Sequence, residues 1–513
     1  MPGQINQKKV AKNTLMLYIR MGVIMLVSLY TSRVVLVTLG VDDFGIYSVV
    51  GSIIVMFSFM NITLTVTVRR FLAFELGKNN HDSIYKVFNA SIIAVFVTSI
   101  IIVIGLESLG AWFLNNKLNI PLERMGAANF VFQLTIVTFF LNMNMVPFCS
   151  AIVVYEKMSV YAYFGVIETI LKLVLILSLP YLPGDKLKLY GLIVFGISLF
   201  VVGGNYLYCN YRVLKVKNLF HFEWSDVSSI FKFSAWSILG SVFYMVATQG
   251  LNMIYNIFYG VAINAALGVS HQAANAIKQF VDSFQTAFNP QLTKSYSAEG
   301  LSEKTFDFVC QTSRLTIILV SVIGVPIISN ISSLLELWLG NVPNYAIPFS
   351  VIFILYTAID GVSGPLFMLV YAKGDVKLYQ LVLGVIQVIY IVVVYLLCKT
   401  GFGPAIVLTM TVVSAFILYI ARLIILKRIM DFPIILFSKK VILPYVIPFM
   451  IYVGLIYSNS LFEVTSIMDI LLSTIILFLL TTIVSGIFYM NKKERVFIVS
   501  LIKNRLEKNE KFY

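Results

Sequence analysis

Long apolar stretches recur along nearly the whole chain, separated by short polar segments. Each has about 18 residues or more, enough for a helix to cross the roughly 30 Å hydrocarbon core of a bilayer. The short alternating segments of a transmembrane barrel do not occur in this sequence. The pattern predicts an all-α polytopic membrane protein with about 14 transmembrane helices, at 13–39, 44–68, 87–113, 125–153, 158–180, 189–211, 233–258, 262–290, 309–331, 345–371, 377–398, 404–427, 441–458 and 467–489.

Composition supports this class. Hydrophobic residues make up 59% of the 513 residues and charged residues 12%, whereas soluble domains carry about 25% charge. The loops are at most roughly 25 residues long, too short for a globular catalytic domain, so we expect no enzyme. The four cysteines are scattered in apolar segments, which suits neither disulfides nor zinc, and we expect no metal and no cofactor: Cys149, Cys209, Cys310 and Cys398.

Basic residues lie mainly in alternate loops. The net charge of +14 therefore reflects the positive-inside rule rather than nucleic-acid binding, and it predicts that both termini are cytoplasmic. The pair Arg69-Arg70 closes the second predicted span on that side. The basic tail 491–513 is expected to be a helix on the anionic inner leaflet or a solvated tail.

The chain shows weak internal similarity in a constant order. Gly45 matches Gly268, Gly77 matches Gly300, and Val154-Tyr155-Glu156-Lys157 matches Val370-Tyr371-Ala372-Lys373. An even number of helices per copy makes this a parallel repeat with a cavity between the two halves. We predict an N-lobe at 1–214, a cytoplasmic connector at 215–232, a C-lobe at 233–428, two further helices at 429–490 and the tail.

Charges within the spans are the first candidates for a functional site, because charge is costly in a bilayer. Arg20 and Arg33 lie in the first span, close enough to its ends to snorkel or to face a cavity. Arg422 and Lys232 lie near cytoplasmic ends and are expected to be interfacial anchors. Asp360 lies deep in the tenth span and is either paired across helices or protonatable.

Two helices repeat one charge spacing. Glu168 and Lys172 are four residues apart, as are Lys278 and Asp282, so each pair is either a structural ion pair or a water-accessible relay. The eighth span also carries a wide polar face, which predicts that it lines the cavity: His271, Gln272, Asn275 and Gln279. His271 alone is more often a packing residue than a proton relay.

The first hairpin resembles a known family. Ser32-Arg33-Val34-Val35, Leu39-Gly40-Val41-Asp42-Asp43-Phe44-Gly45-Ile46-Tyr47 and Arg70-Phe71 before Glu75-Leu76-Gly77-Lys78 look like the polysaccharide transporters, the Wzx-type oligosaccharide flippases of bacteria. These are grouped with the multidrug and toxin extrusion (MATE) transporters and lipid II flippases in one superfamily of MOP, MATE-like proteins. The resemblance implies two six-helix lobes in the bacterial cytoplasmic (inner) membrane.

The same resemblance implies transport of undecaprenyl-diphosphate-linked oligosaccharide by alternating access, with a lipid-linked substrate, membrane lipids and polysaccharide polymerase or chain-length machinery as partners. The expected diphosphate ligands are Arg20, Arg33, Lys172 and Lys278. The candidates for H⁺ or Na⁺ coupling are Asp360, Asp282 and Glu168. A MATE-type multidrug or metabolite antiporter is the main alternative, and a membrane glycan polymerase is the second.

Overall fold

The computed structural model describes residues 7–55, 57–78, 81–116, 121–214, 222–340, 342–462, 466–491 and 494–495. Within these ranges the chain is all-helical, and eleven segments are long and apolar enough to span a membrane. The predicted fold class is therefore confirmed. The first half contains α1 to α8: Gln7–Val55, Ser58–Gly77, His81–Gly105, Ala111–Asn116, Leu122–Asn144, Val146–Val154, Met158–Ser178 and Lys186–Arg212.

The second half begins with the longest helix of the described chain, α9. Its helices α9 to α18 are Trp224–Glu299, Glu303–Ser329, Ile331–Leu339, Ala346–Val362, Gly364–Lys373, Lys377–Lys399, Pro404–Met430, Ile434–Phe437, Val446–Ser460 and Ile467–Val484. Much of the predicted connector is outside the described residues, but α9 already begins at Trp224, nine residues before the predicted span. Almost all of the tail is outside them as well.

Helix α1 consists of two helical segments joined by a sharp kink at Gly40 (φ 76°, ψ 173°). The kink lies between the first two predicted spans, 13–39 and 44–68. Gly260 breaks α9 in the same way (φ 80°, ψ −179°). Both sit in a region of backbone space that essentially only glycine occupies. The two matching breaks agree with the predicted duplication.

Prolines interrupt two of the helices. Helix α6 begins one residue before Pro147, directly after α5 ends. Helix α13 begins one residue before Pro365, directly after α12 ends. A proline cannot donate its backbone hydrogen bond, so the helix is interrupted just before it. Pro326 differs, because α10 continues past it to Ser329.

The described chain divides into two compact units. The first comprises Met1–Val242, Thr286–Gly300 and Tyr371–Gln380; the second comprises Phe243–Gln285, Leu301–Val370 and Leu381–Tyr513. Each has its own apolar core, with Val68, Phe88 and Phe132 fully buried in the first and Tyr255 and Phe349 in the second. The lobe boundaries remain a prediction.

An arginine joins three segments of the first unit. Arg124 in α5 donates to Asp43 in α1 at 2.8 Å and to Asp185 at 2.8 Å. Asp185 also caps α8 by accepting from the amide of Leu187. Burial acts to raise the pKa of Asp185, but the hydrogen bonds from Arg124 and the helix amides outweigh it and lower that pKa overall.

A buried ion pair fixes the end of the described chain in the second unit. Arg314 in α10 lies 2.5 Å from Glu494, and their side chains are only 6% and 5% exposed. Arg314 also donates to the carbonyl of Lys440. Glu494 is 180 residues from Arg314 in the chain, so this pair cannot be inferred from local spacing.

Candidate functional site

Two arginines and one tyrosine meet in the first unit. The Cζ atom of Arg20 (α1) lies 4.4 Å from the ring centroid of Tyr161 (α7), and that of Arg69 (α2) lies 6.0 Å from the same ring. A guanidinium at these distances is attracted to the negative face of the ring. We call Arg20, Arg69 and Tyr161 the cationic cluster.

The cationic cluster has no acidic counterpart in direct contact. Among the described residues, neither guanidinium lies within 4 Å of a carboxylate. The Nε atoms of Arg20 and Arg69 are both buried, with no hydrogen-bond partner in the described part of the chain. Two cations around one ring, without a carboxylate partner, can attract an anion with several oxygen acceptors.

Helix positions explain the cluster. Helix α2 continues past the predicted cytoplasmic end of its span to Gly77, so Arg69 and Arg70 are held by the helix and are not in a loop. Gly165 in α7 leaves the space that Arg20 occupies, since a Cβ there would collide with the Arg20 side chain. Arg20 therefore packs against α7 rather than snorkelling freely.

Glu168 and Lys172 continue the same helix, α7, beyond Gly165. Glu168 and Lys172 interact electrostatically with each other, and Glu168 also interacts electrostatically with Arg20. Within the described residues, however, no ion pair joins Glu168 to either cation at 4 Å or less. The predicted structural pair is thus not formed here. Arg33 belongs to α1, but its side chain lies outside the described residues.

The second unit contains a cavity that is open to solvent. Its walls are mainly aromatic rings, hydroxyl groups and side-chain amides, the typical make-up of a pocket for a polar organic ligand. The residues that matter below are Tyr244, His271, Asn275, Lys278, Tyr356 and Gln387. The prediction that the polar face of the eighth span lines a cavity thus has a counterpart within this unit.

Both cations near this cavity have acidic partners. Lys278 lies 3.0 Å from Asp282 on α9, as its spacing suggested. Arg422 in α15 lies 3.2 Å from Asp360 in α12, which corrects the interpretation of Arg422 as an interfacial anchor. Asp360 is paired across helices, the first of its two alternatives, because the carboxylate and the guanidinium face each other between α12 and α15.

The remaining polar candidates differ in position. His271 lines the cavity and lies against Phe353, with ring centroids 3.9 Å apart. Asn275 also lines it, whereas Gln272 and Gln279 are exposed residues of α9 outside its lining. Sequence analysis missed Gln387, one of two glutamines in a mainly apolar span, whose amide could have indicated a cavity.

Comparisons with known proteins identify the fold. No protein-family profile and no curated protein matches the chain. A multidrug resistance MATE family transporter of the MOP superfamily in its outward-facing conformation matches with a TM-score of 0.72 and 12% identity, over 82% of this chain and 96% of the other. A MATE transporter in the straight conformation matches with a TM-score of 0.69 and 13% identity, over 83% and 96%.

A third solved structure carries information about pockets. It is a MOP superfamily transporter from Pyrococcus furiosus, and the reverse polarity of its binding pocket is described as suggesting a different function. It matches with a TM-score of 0.70 and 13% identity, over 83% of this chain and 96% of the other. At these identities the likeness concerns the fold. The chain therefore has a MATE-like transporter fold, and these neighbours are transporters rather than enzymes.

Proposed function

We propose that this protein is a flippase that carries undecaprenyl-diphosphate-linked oligosaccharide across the bacterial cytoplasmic membrane by alternating access. The observation that carries the proposal is the cationic cluster. Arg20 and Arg69 share one ring and have no carboxylate partner among the described residues. A diphosphate offers many oxygen acceptors and more than one negative charge, which suits two guanidinium groups that contact the same ring.

The cavity of the second unit, taken by itself, has a character that suits an uncharged ligand. Its Lys278 is neutralised by Asp282, and the nearby Arg422 by Asp360, so the site carries little net charge. Asn275 and Gln387 provide side-chain amides along its walls. An uncharged ligand rich in hydroxyl groups can use such amides as both donors and acceptors.

Ion coupling by H⁺ or Na⁺ belongs to the same proposal. Of the three predicted carboxylates, Asp360 and Asp282 are each paired with a basic side chain. Glu168 has no such pair among the described residues and lies near Arg20. Glu168 is therefore our first candidate for the coupling residue, because a carboxylate without a fixed counter-ion is free to bind and release H⁺ or Na⁺.

A MATE-type antiporter of drugs or metabolites is the alternative, and the fold is equally consistent with it. Pocket charge separates the two, as the Pyrococcus furiosus neighbour illustrates through the reverse polarity in its description. Cationic drugs would be repelled by the unpaired Arg20 and Arg69, which favours an anionic substrate. A membrane glycan polymerase stays the least supported.

The test is deletion of the gene, followed by measurement of lipid-linked oligosaccharide left on the cytoplasmic leaflet and of tolerance to cationic drugs. We expect the glycolipid to accumulate and drug tolerance to be unchanged. Intact glycan export with lowered drug tolerance would overturn the proposal in favour of the antiporter.

Variants link the export defect to the cluster. Arg69→Ala should abolish complementation at normal membrane abundance, and Arg69→Lys should retain part of it, because Lys keeps the charge but loses the bidentate fork. Lys232→Ala, which removes an exposed cation in α9, is the matched control and should complement fully. Full complementation by Arg69→Ala would remove the cluster from the substrate path.

A further inference from the structure

The first unit contains two segments from the second half of the chain. These are Thr286–Gly300, the last part of α9, and Tyr371–Gln380, which includes the end of α13. In the predicted repeat, Gly300 corresponds to Gly77 at the end of α2. The motif Val370-Tyr371-Ala372-Lys373 corresponds to Val154-Tyr155-Glu156-Lys157 after α6. Apart from Val370, one unit thus holds both copies of both motifs.

The first contact runs from α2 to the end of α13. Arg70 donates from Nε to the carbonyl of Tyr371 at 2.8 Å and from Nη2 to that of Ala372 at 3.4 Å. Its side chain is buried against the rings of Phe71 and Phe233, with Cζ 4.5 and 5.2 Å from their centroids. The carbonyls in the last turn of a helix carry partial negative charge, so they accept a cation well.

The second contact runs in the opposite sense, from α9 to the segment after α6. Lys294 lies 2.9 Å from Oε1 of Glu156, and Gln291 donates to Oε2 at 3.2 Å. The side chains of Glu156 and Lys294 are 9% and 19% exposed. Glu156 occupies the place in its motif that Ala372 occupies in the other. In each repeat, a side chain from the long helix (α2 or α9) therefore contacts the same position of the motif in the other repeat.

Close backbone packing accompanies the two contacts. A Cβ at Gly77 would come within 2.6 Å of the carbonyl oxygen of Lys294 and 2.8 Å of the Cβ of Ser297. The hydroxyl of Ser297 donates to the carbonyl of Phe74. The ends of α2 and α9 thus touch directly, and only a glycine at position 77 permits this distance.

We infer that these reciprocal contacts form a clasp, defined as Arg70 with Tyr371 and Ala372 together with Glu156 with Lys294 and Gln291. The clasp stabilises the described conformation and opens when the transporter changes state. It lies at the face predicted to be cytoplasmic, so its opening gives access from that side. The inference rests on the proposed transport function, but not on the identity of the substrate.

The experiment measures access to a buried position behind the clasp. Ala287 is fully buried beside Leu17 and Val153. In a full-length protein whose four natural cysteines, all of them buried, are replaced by alanine, Ala287→Cys is the reporter. Its rate of reaction with a hydrophilic maleimide is measured on purified protein in detergent, where both faces are accessible.

Glu156→Ala should raise the labelling rate about tenfold, since the loss of one charged contact biases the equilibrium by that order. Glu156→Gln should raise it less, because the amide keeps a bond to Gln291, and it also serves if the alanine variant does not fold. The exchange Glu156→Lys with Lys294→Glu should return the rate towards the parent value. Lys78→Ala, which breaks an exposed pair with Glu75 in α2, is the matched control.

Unchanged labelling in the Glu156→Ala, Glu156→Gln and Arg70→Ala variants would overturn the clasp. So would a rate that rises in the single variants and does not fall in the exchanged one, since the effect would then not come from the pair. Neither result depends on glycolipid export. A failure of the flippase proposal therefore leaves the labelling result readable, and the reverse also holds.

Discussion

Gly165→Ala offers a sharp test of the cationic cluster, because it displaces a binding residue without mutating it. The new methyl group would fall on the Arg20 guanidinium, with Cζ and Nη2 both 3.0 Å from the added carbon. The Nε atom of Arg20 would be still closer to the added carbon than these two atoms, which is too close for any real Cβ atom. The long Arg20 side chain must therefore move away. Its contact with the Tyr161 ring is then lost.

The stability terms nearly cancel. Alanine is favoured over glycine in a helix interior by about 1 kcal/mol, and the lost cation–π contact costs about 0.5–2 kcal/mol. The free energy of unfolding should therefore change by less than about 1 kcal/mol. Binding should change more, because a hydrogen bond to a charged group contributes about 1.5–3 kcal/mol, equivalent to a roughly 10- to 150-fold weaker Kd.

The assay is equilibrium binding of a fluorescent isoprenyl diphosphate to the purified protein, together with a melting curve for each variant. Gly203→Ala is the matched control, since Gly203 also lies inside a helix of the first unit and an added Cβ there would meet nothing within 4 Å. It should gain helix stability and bind normally. Wild-type affinity in Gly165→Ala would refute the assignment of Arg20 to the diphosphate site.

Two further predictions concern stability. Glu494→Ala should lower the free energy of unfolding by about 3–5 kcal/mol, because it leaves the Arg314 guanidinium buried without a carboxylate. Asp307→Ala, which breaks the half-exposed pair with Lys440, should lower it by less than about 1 kcal/mol. Equal losses of stability for the two variants in chemical unfolding would contradict this prediction. The lowered pKa of Asp185 predicts a stabilisation that is complete above about pH 5 and declines as the pH falls towards the folded-state pKa. Asp185→Asn should remove that part of the acid dependence of the melting temperature, and an unaltered pH profile would count against it.

The fold could be predicted from sequence because it depends on length and apolarity, which are local properties. The ends of helices could not be predicted as well. Hydropathy ends the second span at Val68, but Leu72 and Ala73 bury themselves against the core and α2 continues to Gly77. Arg69 was therefore placed in a loop rather than in a site. Only tertiary packing distinguishes the end of an apolar run from the end of a helix.

The charge pairs show the same limit more clearly. Glu168–Lys172 and Lys278–Asp282 have one spacing and one pair of alternatives in sequence, yet only the second is a direct ion pair. The first pair lies on α7, where Arg20 from α1 packs against Gly165. Spacing sets which partners can meet, whereas the neighbouring helices decide whether they do.

This difference bears on transport. In the second unit each cation near the cavity is matched by a carboxylate, so an anionic ligand would have to displace a pair that is already formed, at an energetic cost. In the first unit Arg20 and Arg69 have no such pair to break among the described residues. An anionic headgroup therefore gains the full interaction there and little in the second unit. Under the proposed function, we therefore expect a diphosphate to bind at the cationic cluster and not at Lys278, which is already paired with Asp282.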